Sequence, residues 1–263
     1  MSGGSKRSNP ISEETSGTSS LFPGQVLSVL FRERKLKVAE DRLTVTGDKS
    51  TGYQTILAEH SASHGEWFFE ATIEDLPSDA HIRIGWSTRR TRYDQPIGSD
   101  CFSYGIRDLD CARVCLARRW EGPQKDQSLK PGDVIGCYVR LPQLPISPKG
   151  MVSDDVYTFL PNLLCDPETV PDPELLPPES SIVFTVNGQS LGLAFQNLVA
   201  GDYYPAVSLY GKAKVKFNFG PNFVYKFEDG SPRPACEMYV PKELMKPKRR
   251  PPNFIPRGLA SGA

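Results

Sequence analysis

The sequence lacks the features that would place the protein in a membrane or in a secretory pathway. No run of about 18 apolar residues occurs, so we expect no transmembrane helix and no membrane partner. The polar start MSGGSKRSNPISEETSGTSS has no apolar segment of the kind found in signal peptides. Lysine and arginine total 31, as do aspartate and glutamate, and this balance argues against a surface built wholly for nucleic acid.

Motifs for cofactors, metals and nucleophilic catalysis are also missing. Neither GxGxxG nor a P-loop is present, and the six cysteines form no CxxC pair, so free thiols are expected. The three histidines stand outside any HExxH motif: His60, His64 and His81. Four carboxylates near the predicted strands are expected to be solvated: Glu70, Glu74, Asp108 and Asp110. We therefore predict that the protein is not an enzyme and uses no cofactor or metal.

Apolar residues instead alternate with polar ones, which is the pattern of half-buried strands. One predicted strand places Trp67, Phe69, Ala71 and Ile73 on a single face. A second places Ile82, Ile84 and Trp86 inward, so that Arg83 points away from the apolar face. We count about ten short strands and no amphipathic helix, which predicts an all-β sandwich or barrel.

Turn residues and prolines predict how the chain is organised. Asn187-Gly188 lies between two apolar runs and predicts a tight hairpin. Nine prolines interrupt residues 142–180, and because strands resume afterwards we interpret this stretch as an insertion within one domain. The predicted organisation is a disordered segment (1–20), one domain (21–230) and a proline-rich basic tail (231–263).

Arginines gather on and after the Arg83 strand. Arg83 and Arg107 lie on predicted strands, and three further arginines crowd the intervening loop: Arg89, Arg90 and Arg92. With nearby Tyr53, Tyr93 and Pro96, they predict a basic, aromatic-edged recognition patch, because guanidinium groups favour carboxylate and phosphate partners. The alternative is five separate surface arginines.

A second basic group occurs in the tail. Its members are Lys246, Lys248, Arg249 and Arg250. Such a run is typical of a nuclear localisation signal or of a weak contact with DNA or the nucleosome, and it is also compatible with a solvated tail.

Several ordered segments resemble the SPRY domain. They cover roughly residues 35–225 and are GEWFFE (65–70), IGWS (84–87), GDVIG (132–136), FTVNG (184–188) and YPAVSL (204–209). The resemblance implies an all-β, SPRY-type sandwich of two antiparallel sheets, here with a long proline-rich insertion.

A narrower resemblance is to the Ash-two ("absent, small or homeotic discs two") subfamily of the trithorax group. It is based on DRLTVTG (41–47), SHG (63–65), PIG (96–98), FSY (102–104) and NFGP (218–221). Members are subunits of SET/MLL (COMPASS) complexes, which methylate histone H3 lysine 4. The resemblance implies a nuclear, non-catalytic scaffold that binds an acidic segment of the WD-repeat retinoblastoma-binding subunit and stimulates the SET-domain methyltransferase.

The subfamily's partner-binding pocket carries over to named positions here. The resemblance implies roles for Tyr53, Arg83, Pro96 and Arg107. Ser99 stands where the family has a tyrosine, so one aromatic wall of the pocket is missing. We hypothesise that Arg89, Arg90 and Arg92 compensate by adding positive potential.

Other functions remain open at the level of sequence. One alternative is a SPRY substrate-recognition module of another complex, such as a ubiquitin ligase, and another is an intrinsic methyltransferase. The family helix that docks on the Dumpy-thirty dimer has no clear counterpart in residues 235–263, which lack an apolar stripe.

Overall fold

A computed structural model describes residues 24–49, 52–122, 127–143 and 174–238. These residues form fifteen strands and one short 3-10 helix at Ala235–Glu237. The strands are β1 (Leu27–Arg32), β2 (Lys37–Val38), β3 (Thr44–Thr46), β4 (Gln54–Ala58), β5 (Gly65–Asp75), β6 (His81–Ser87), β7 (Ser103–Arg107), β8 (Arg113–Cys115), β9 (Arg118–Trp120), β10 (Val134–Leu141), β11 (Ser181–Val186), β12 (Gln189–Gln196), β13 (Tyr204–Tyr210), β14 (Lys214–Asn218) and β15 (Arg233–Pro234). No helix in these ranges is long and apolar enough to span a membrane.

The strands form two sheets that pack face to face. The seven-stranded sheet has the order β1-β4-β13-β6-β7-β8-β9, and the eight-stranded sheet has the order β12-β11-β10-β5-β14-β3-β2, with β15 added beside β5. All pairings are antiparallel except that of β15 with β5. The predicted all-β sandwich of two antiparallel sheets is confirmed.

Side-chain alternation builds the core between the sheets, as predicted. Trp67, Phe69, Ala71 and Ile73 of β5 face Ile82, Ile84 and Trp86 of β6 within one apolar cluster. The rings of Phe69 and Trp86 meet edge to face at 5.0 Å across the two sheets. Because strand residues alternate between faces, the outer side of β6 is left to His81, Arg83, Gly85 and Ser87.

The Asn187-Gly188 turn joins β11 to β12, which confirms the predicted hairpin. Both residues have positive φ, 50° and 81°, as a tight type I′ turn requires. The Asn187 side chain also accepts a 2.9 Å hydrogen bond from the Val134 N–H, so it ties the hairpin to the start of β10.

Glu70 is not the solvated carboxylate that the sequence suggested. It is only 1% exposed. Its oxygens accept hydrogen bonds from the Asn218 amide and from the backbone N–H groups of Val224 and Tyr225, at 2.8–3.0 Å. The prediction was wrong because the segment after β14 folds over the outer face of the eight-stranded sheet.

The ordered packing extends past residue 230. Arg233 and Pro234 pair with Trp67 and Phe68 of β5, and Met238 is 2% exposed. The predicted disordered segment (1–20), residues 144–173 of the predicted insertion, and the basic tail group Lys246, Lys248, Arg249 and Arg250 lie outside the described residues.

Candidate functional site

The loop between β6 and β7, residues 88–102, folds across the outer face of the seven-stranded sheet. The Thr55 hydroxyl of β4 donates to the Gln95 carbonyl at 2.6 Å. The Ser208 hydroxyl of β13 accepts from the Ile97 N–H at 2.8 Å. These two contacts fix the loop against β4 and β13, and the loop reaches the outer face of β6, where the Ile97 carbonyl accepts a hydrogen bond from Arg83.

A tight turn holds the tip of this loop. The Ser99 N–H donates to the Pro96 carbonyl at 3.1 Å, and Gly98 has a φ of 84°. This is the third position of a type II turn, which favours glycine. A Cβ at Gly98 would also lie 2.5 Å from the Val114 carbonyl oxygen, so only glycine fits. The turn buries Ile97 and leaves Ser99 half-buried at the edge of the site.

Arg83 lies at the centre of the outer face of β6. Its Nη1 donates to the Ile97 carbonyl at 3.0 Å, and its guanidinium lies 5.4 Å from the centre of the Tyr53 ring. Its Nε is buried and has no hydrogen-bond partner. Among the described residues, no carboxylate forms an ion pair with it. Arg83 therefore has no direct ion-pair partner in the described chain, although the charge of Asp108 acts on it from a longer distance.

Burial shifts the pKa of both Arg83 and Tyr53. Burial lowers the pKa of Arg83, and the positive charge of Arg107 adds to this effect, whereas Tyr53 and the charge of Asp108 act in the opposite direction. Burial raises the pKa of Tyr53, although the charge of Arg83 acts in the opposite direction. A negatively charged ligand would relieve the unfavourable environment of Arg83.

Arg107 is the cross-strand neighbour of Arg83. The two residues are directly opposed in the register of β6 and β7, where facing side chains interact and like charges repel. Unlike Arg83, Arg107 has an internal counter-charge, because its Nε lies 3.1 Å from Asp110. Arg119 shares the same carboxylate at 2.7 Å. Tyr53, Arg83 and Arg107 thus form one basic surface, which together with Pro96, next to Ile97 in the loop, is here called the arginine pocket.

His81 and Asp108 extend the arginine pocket, although their sequence context predicts no role for either residue in it. The His81 Nδ1 lies 2.9 Å from the Asp108 carboxylate, whose residue is only 4% exposed. The expectation that Asp108 is solvated was therefore wrong, because this histidine and the Leu129 segment cover it. The signal in the sequence was the spacing of His81 and Arg83, which places both on one face of a strand.

Comparison with known proteins identifies the domain. Residues 66–147 and 177–222 match the family model described as the SPRY domain. The chain contains a SPRY domain. It is 35% identical to the Drosophila melanogaster "Set1/Ash2 histone methyltransferase complex subunit ASH2", over 78% of this chain and 37% of that one.

Further relatives agree in their descriptions. The Caenorhabditis elegans "Set1/Ash2 histone methyltransferase complex subunit ash-2" is 32% identical, over 69% of this chain and 35% of that one. The chain spans little more than a third of the length of these curated relatives. The solved SPRY domain of human HERC1 has a TM-score of 0.49 and 16% identity, covering 73% of this chain and 96% of that one.

The three loop arginines of this SPRY domain have separate surroundings. Arg89 lies over the rings of Phe31 and Tyr204, at 5.2 and 6.0 Å. Tyr204 is four positions along β13 from Ser208, the residue opposite Arg83, which is a displacement of about 13 Å along the strand. Arg90 lies over the Phe102 ring, and Arg92 pairs with Asp94 at the exposed surface. None of these contacts joins the loop arginines to the arginine pocket.

The described SPRY residues offer no metal site. Within them, no group of three or more histidine, cysteine, aspartate and glutamate side chains is arranged to hold a metal ion. What this surface presents to a ligand is guanidinium, imidazole and aromatic groups, which suit an anionic partner.

Proposed function

We propose that this SPRY domain is a non-catalytic scaffold and activator in a nuclear histone H3 lysine 4 methyltransferase complex. In this proposal the arginine pocket binds an acidic segment of the WD-repeat retinoblastoma-binding subunit. The bound pair then contacts the SET-domain methyltransferase and stimulates it. The names of the relatives support membership of such a complex.

The observation that carries the proposal is that Arg83 has no direct ion-pair partner among the described residues. An ion in a partly buried site loses much of its hydration, and without a counter-charge this loss is unfavourable. Arg83 has a buried Nε with no partner, and burial lowers its pKa. A carboxylate from a partner would supply both the missing acceptor and the missing charge.

The other pocket residues have distinct parts in this binding. Arg107 is now paired with Asp110, so it would release Asp110 in order to bind a second carboxylate of the partner. Tyr53 holds the Arg83 guanidinium against its ring and offers an apolar edge. Pro96 gives the loop a rigid wall, and Ser99 leaves room beside it.

Activation requires no catalytic group in this domain. The methyl donor and the active site belong to the SET-domain partner. By binding two subunits together, the SPRY domain would restrict the motion of that enzyme, and the productive geometry would be populated more often. Contacts of the tail with DNA or with the Dumpy-thirty dimer stay predictions, because residues 239–263 lie outside the described part of the chain.

The experiment combines binding and activity with the full chain. Isothermal titration with an acidic peptide of the WD-repeat subunit should give micromolar binding, which Arg83→Ala with Arg107→Ala should abolish. Arg140→Ala is the matched control, because Arg140 pairs with Glu66 at the surface of the other sheet. The double variant should also lose stimulation of the reconstituted SET enzyme.

Either of two results would overturn the proposal. The first is that the folded wild-type protein does not bind the peptide, which would favour a substrate receptor of another complex. The second is that the double variant binds and stimulates like the Arg140→Ala control.

A further inference from the structure

His81 lies at the margin of the arginine pocket and makes a hydrogen bond that fixes its ring. The Nδ1 atom lies 2.9 Å from an oxygen of Asp108. The Asp108 side chain is 6% exposed, whereas the His81 side chain is 32% exposed. The buried carboxylate therefore orients an imidazole whose other side reaches solvent.

A continuous series of contacts connects His81 to Arg83. The His81 ring lies 6.0 Å from the Tyr210 ring, and the Tyr210 ring lies 5.5 Å from the Tyr53 ring. Tyr53 in turn lies against the Arg83 guanidinium. His81 and Arg83 are also two residues apart on β6, a spacing of about 7 Å, so a single extended peptide can reach both.

The hydrogen bond to Asp108 decides which nitrogen a ligand meets. A carboxylate accepts a hydrogen bond, so Nδ1 carries the hydrogen and Nε2 is the nitrogen left for a ligand. In the neutral ring Nε2 is an acceptor and repels a carboxylate. In the protonated ring Nε2–H is a donor with a full positive charge, and a carboxylate then makes a charge-assisted hydrogen bond.

We propose that His81 is a third cationic contact for the acidic partner segment, beside Arg83 and Arg107. This inference rests on the proposed function. In the bound state both ring nitrogens carry a hydrogen, and the Nε2–H donates a hydrogen bond to a partner carboxylate. Asp108 keeps the opposite nitrogen bonded, so the ring does not rotate.

The charged and titratable groups around His81 come from several elements. They are Arg83 on its own strand, Arg107 on β7, Asp108 in the turn after β7, Tyr210 on β13, Tyr53 before β4 and Lys130 in the segment that bonds to Asp108. Tyrosine, arginine and lysine ordinarily keep their charge state near neutral pH, as do carboxylates, whereas histidine is the side chain that changes charge there. A change in affinity across that range therefore reports the imidazole.

The test is isothermal titration of the full chain with the acidic peptide, chosen free of histidine, at pH 8.0 and pH 6.0. Because the bound state holds the extra proton, affinity should rise as the pH falls, by about threefold to tenfold. Titrations in buffers of different ionisation enthalpy, at a pH between 6.0 and 8.0, should show that protons are taken up when the peptide binds.

Two variants assign the effect to one histidine. His81→Gln should remove the proton uptake and the pH dependence, so that its affinities at pH 8.0 and pH 6.0 agree within about twofold. His64→Gln is the matched control, since His64 is exposed and its ring bonds to Ser63, and it should behave like the wild type. Thermal unfolding should confirm that both variants are folded.

The outcomes separate this inference from the proposed function. If the peptide binds through Arg83 but His81→Gln keeps the wild-type pH dependence, the role of His81 is overturned and the proposed function stands. An affinity that does not change with pH in the wild type has the same meaning. If the wild type binds no peptide at either pH, both are overturned.

Discussion

Arg83 and Arg107 are directly opposed on neighbouring strands, and only Arg107 is paired with a described carboxylate. Two guanidinium groups in this arrangement repel each other. Asp110 relieves that repulsion on one side only, and Arg83 keeps a buried Nε without a partner. The asymmetry indicates that the two arginines would bind an anion differently. Arg83 would use its Nε, which has no partner, whereas Arg107 would first have to release Asp110.

If Arg107 must release Asp110 to bind a partner carboxylate, removing the Asp110 charge should strengthen binding. Asp110→Asn removes the competing charge but keeps an oxygen that can accept from the Ala112 N–H, as now at 3.1 Å. The acidic peptide should bind about threefold more tightly to this variant, measured by titration at low salt. Glu74→Gln is the control, because Glu74 pairs with Lys214 on the other sheet. Equal or weaker binding by Asp110→Asn would show that Arg107 does not need to be released.

The second prediction concerns Gly98 and the turn that carries Pro96. Gly98→Ala should destabilise the domain by about 1–3 kcal/mol and weaken peptide binding, because the new Cβ meets the Val114 carbonyl. Gly132→Ala is the matched control, since Gly132 also has positive φ, 94°, but no atom within 4 Å of a Cβ. Gly132→Ala should lower the free energy of unfolding by about 1 kcal/mol and leave peptide binding unchanged. Urea unfolding and titration measure both effects, and a Gly98→Ala protein with normal affinity would contradict the role of the turn.

The third prediction concerns the buried carboxylate of Glu70. Glu70→Ala leaves three donors without their acceptor, on Asn218, Val224 and Tyr225. The free energy of unfolding should fall by about 2–4 kcal/mol, measured in urea. Glu74→Ala, four positions along the same strand, removes only a surface ion pair and should change it by less than about 1 kcal/mol. Similar effects of the two substitutions would mean that the segment after β14 is not held by Glu70.

The fourth prediction concerns thiol reactivity. The five described cysteines are free, and burial raises the pKa of Cys111 to about 11 and that of Cys115 to about 12. A raised pKa favours the protonated thiol, so at pH 8 only about one Cys111 in a thousand is the reactive thiolate. Among described cysteines, iodoacetamide should modify half-buried Cys101 and Cys236 before the buried ones. Mass spectrometry of the native protein checks the order, and early modification of Cys115 would contradict it.

Local patterns in the sequence were enough to predict the longer strands and the hairpin, although about ten strands were expected and the described residues form fifteen. The alternation in β5 and β6 and the Asn-Gly pair depend on near neighbours, and the predicted faces are those found. The same alternation placed Arg83 on the outer face of the sheet.

Features made by distant segments could not be predicted in this way. Glu70 is buried by the segment after β14, and Asp108 is buried by the Leu129 segment and His81. The residues next to Glu70 and Asp108 in the sequence give no sign of this burial. Arg89 is close to Arg83 along the chain, yet it stacks on Tyr204 at another place on the sheet. Which arginines share a site depends on strand register, and the register is set by the whole sheet.

The most direct test is a double-mutant cycle between Arg83 and the acidic peptide. Arg83→Ala is combined with peptides in which each glutamate or aspartate in turn is replaced by its amide, and all affinities are measured by titration. If a partner carboxylate completes the environment of Arg83, one position should show a coupling free energy of about 1.5–3 kcal/mol. If every peptide position gives additive effects with Arg83→Ala, Arg83 does not pair with the acidic segment.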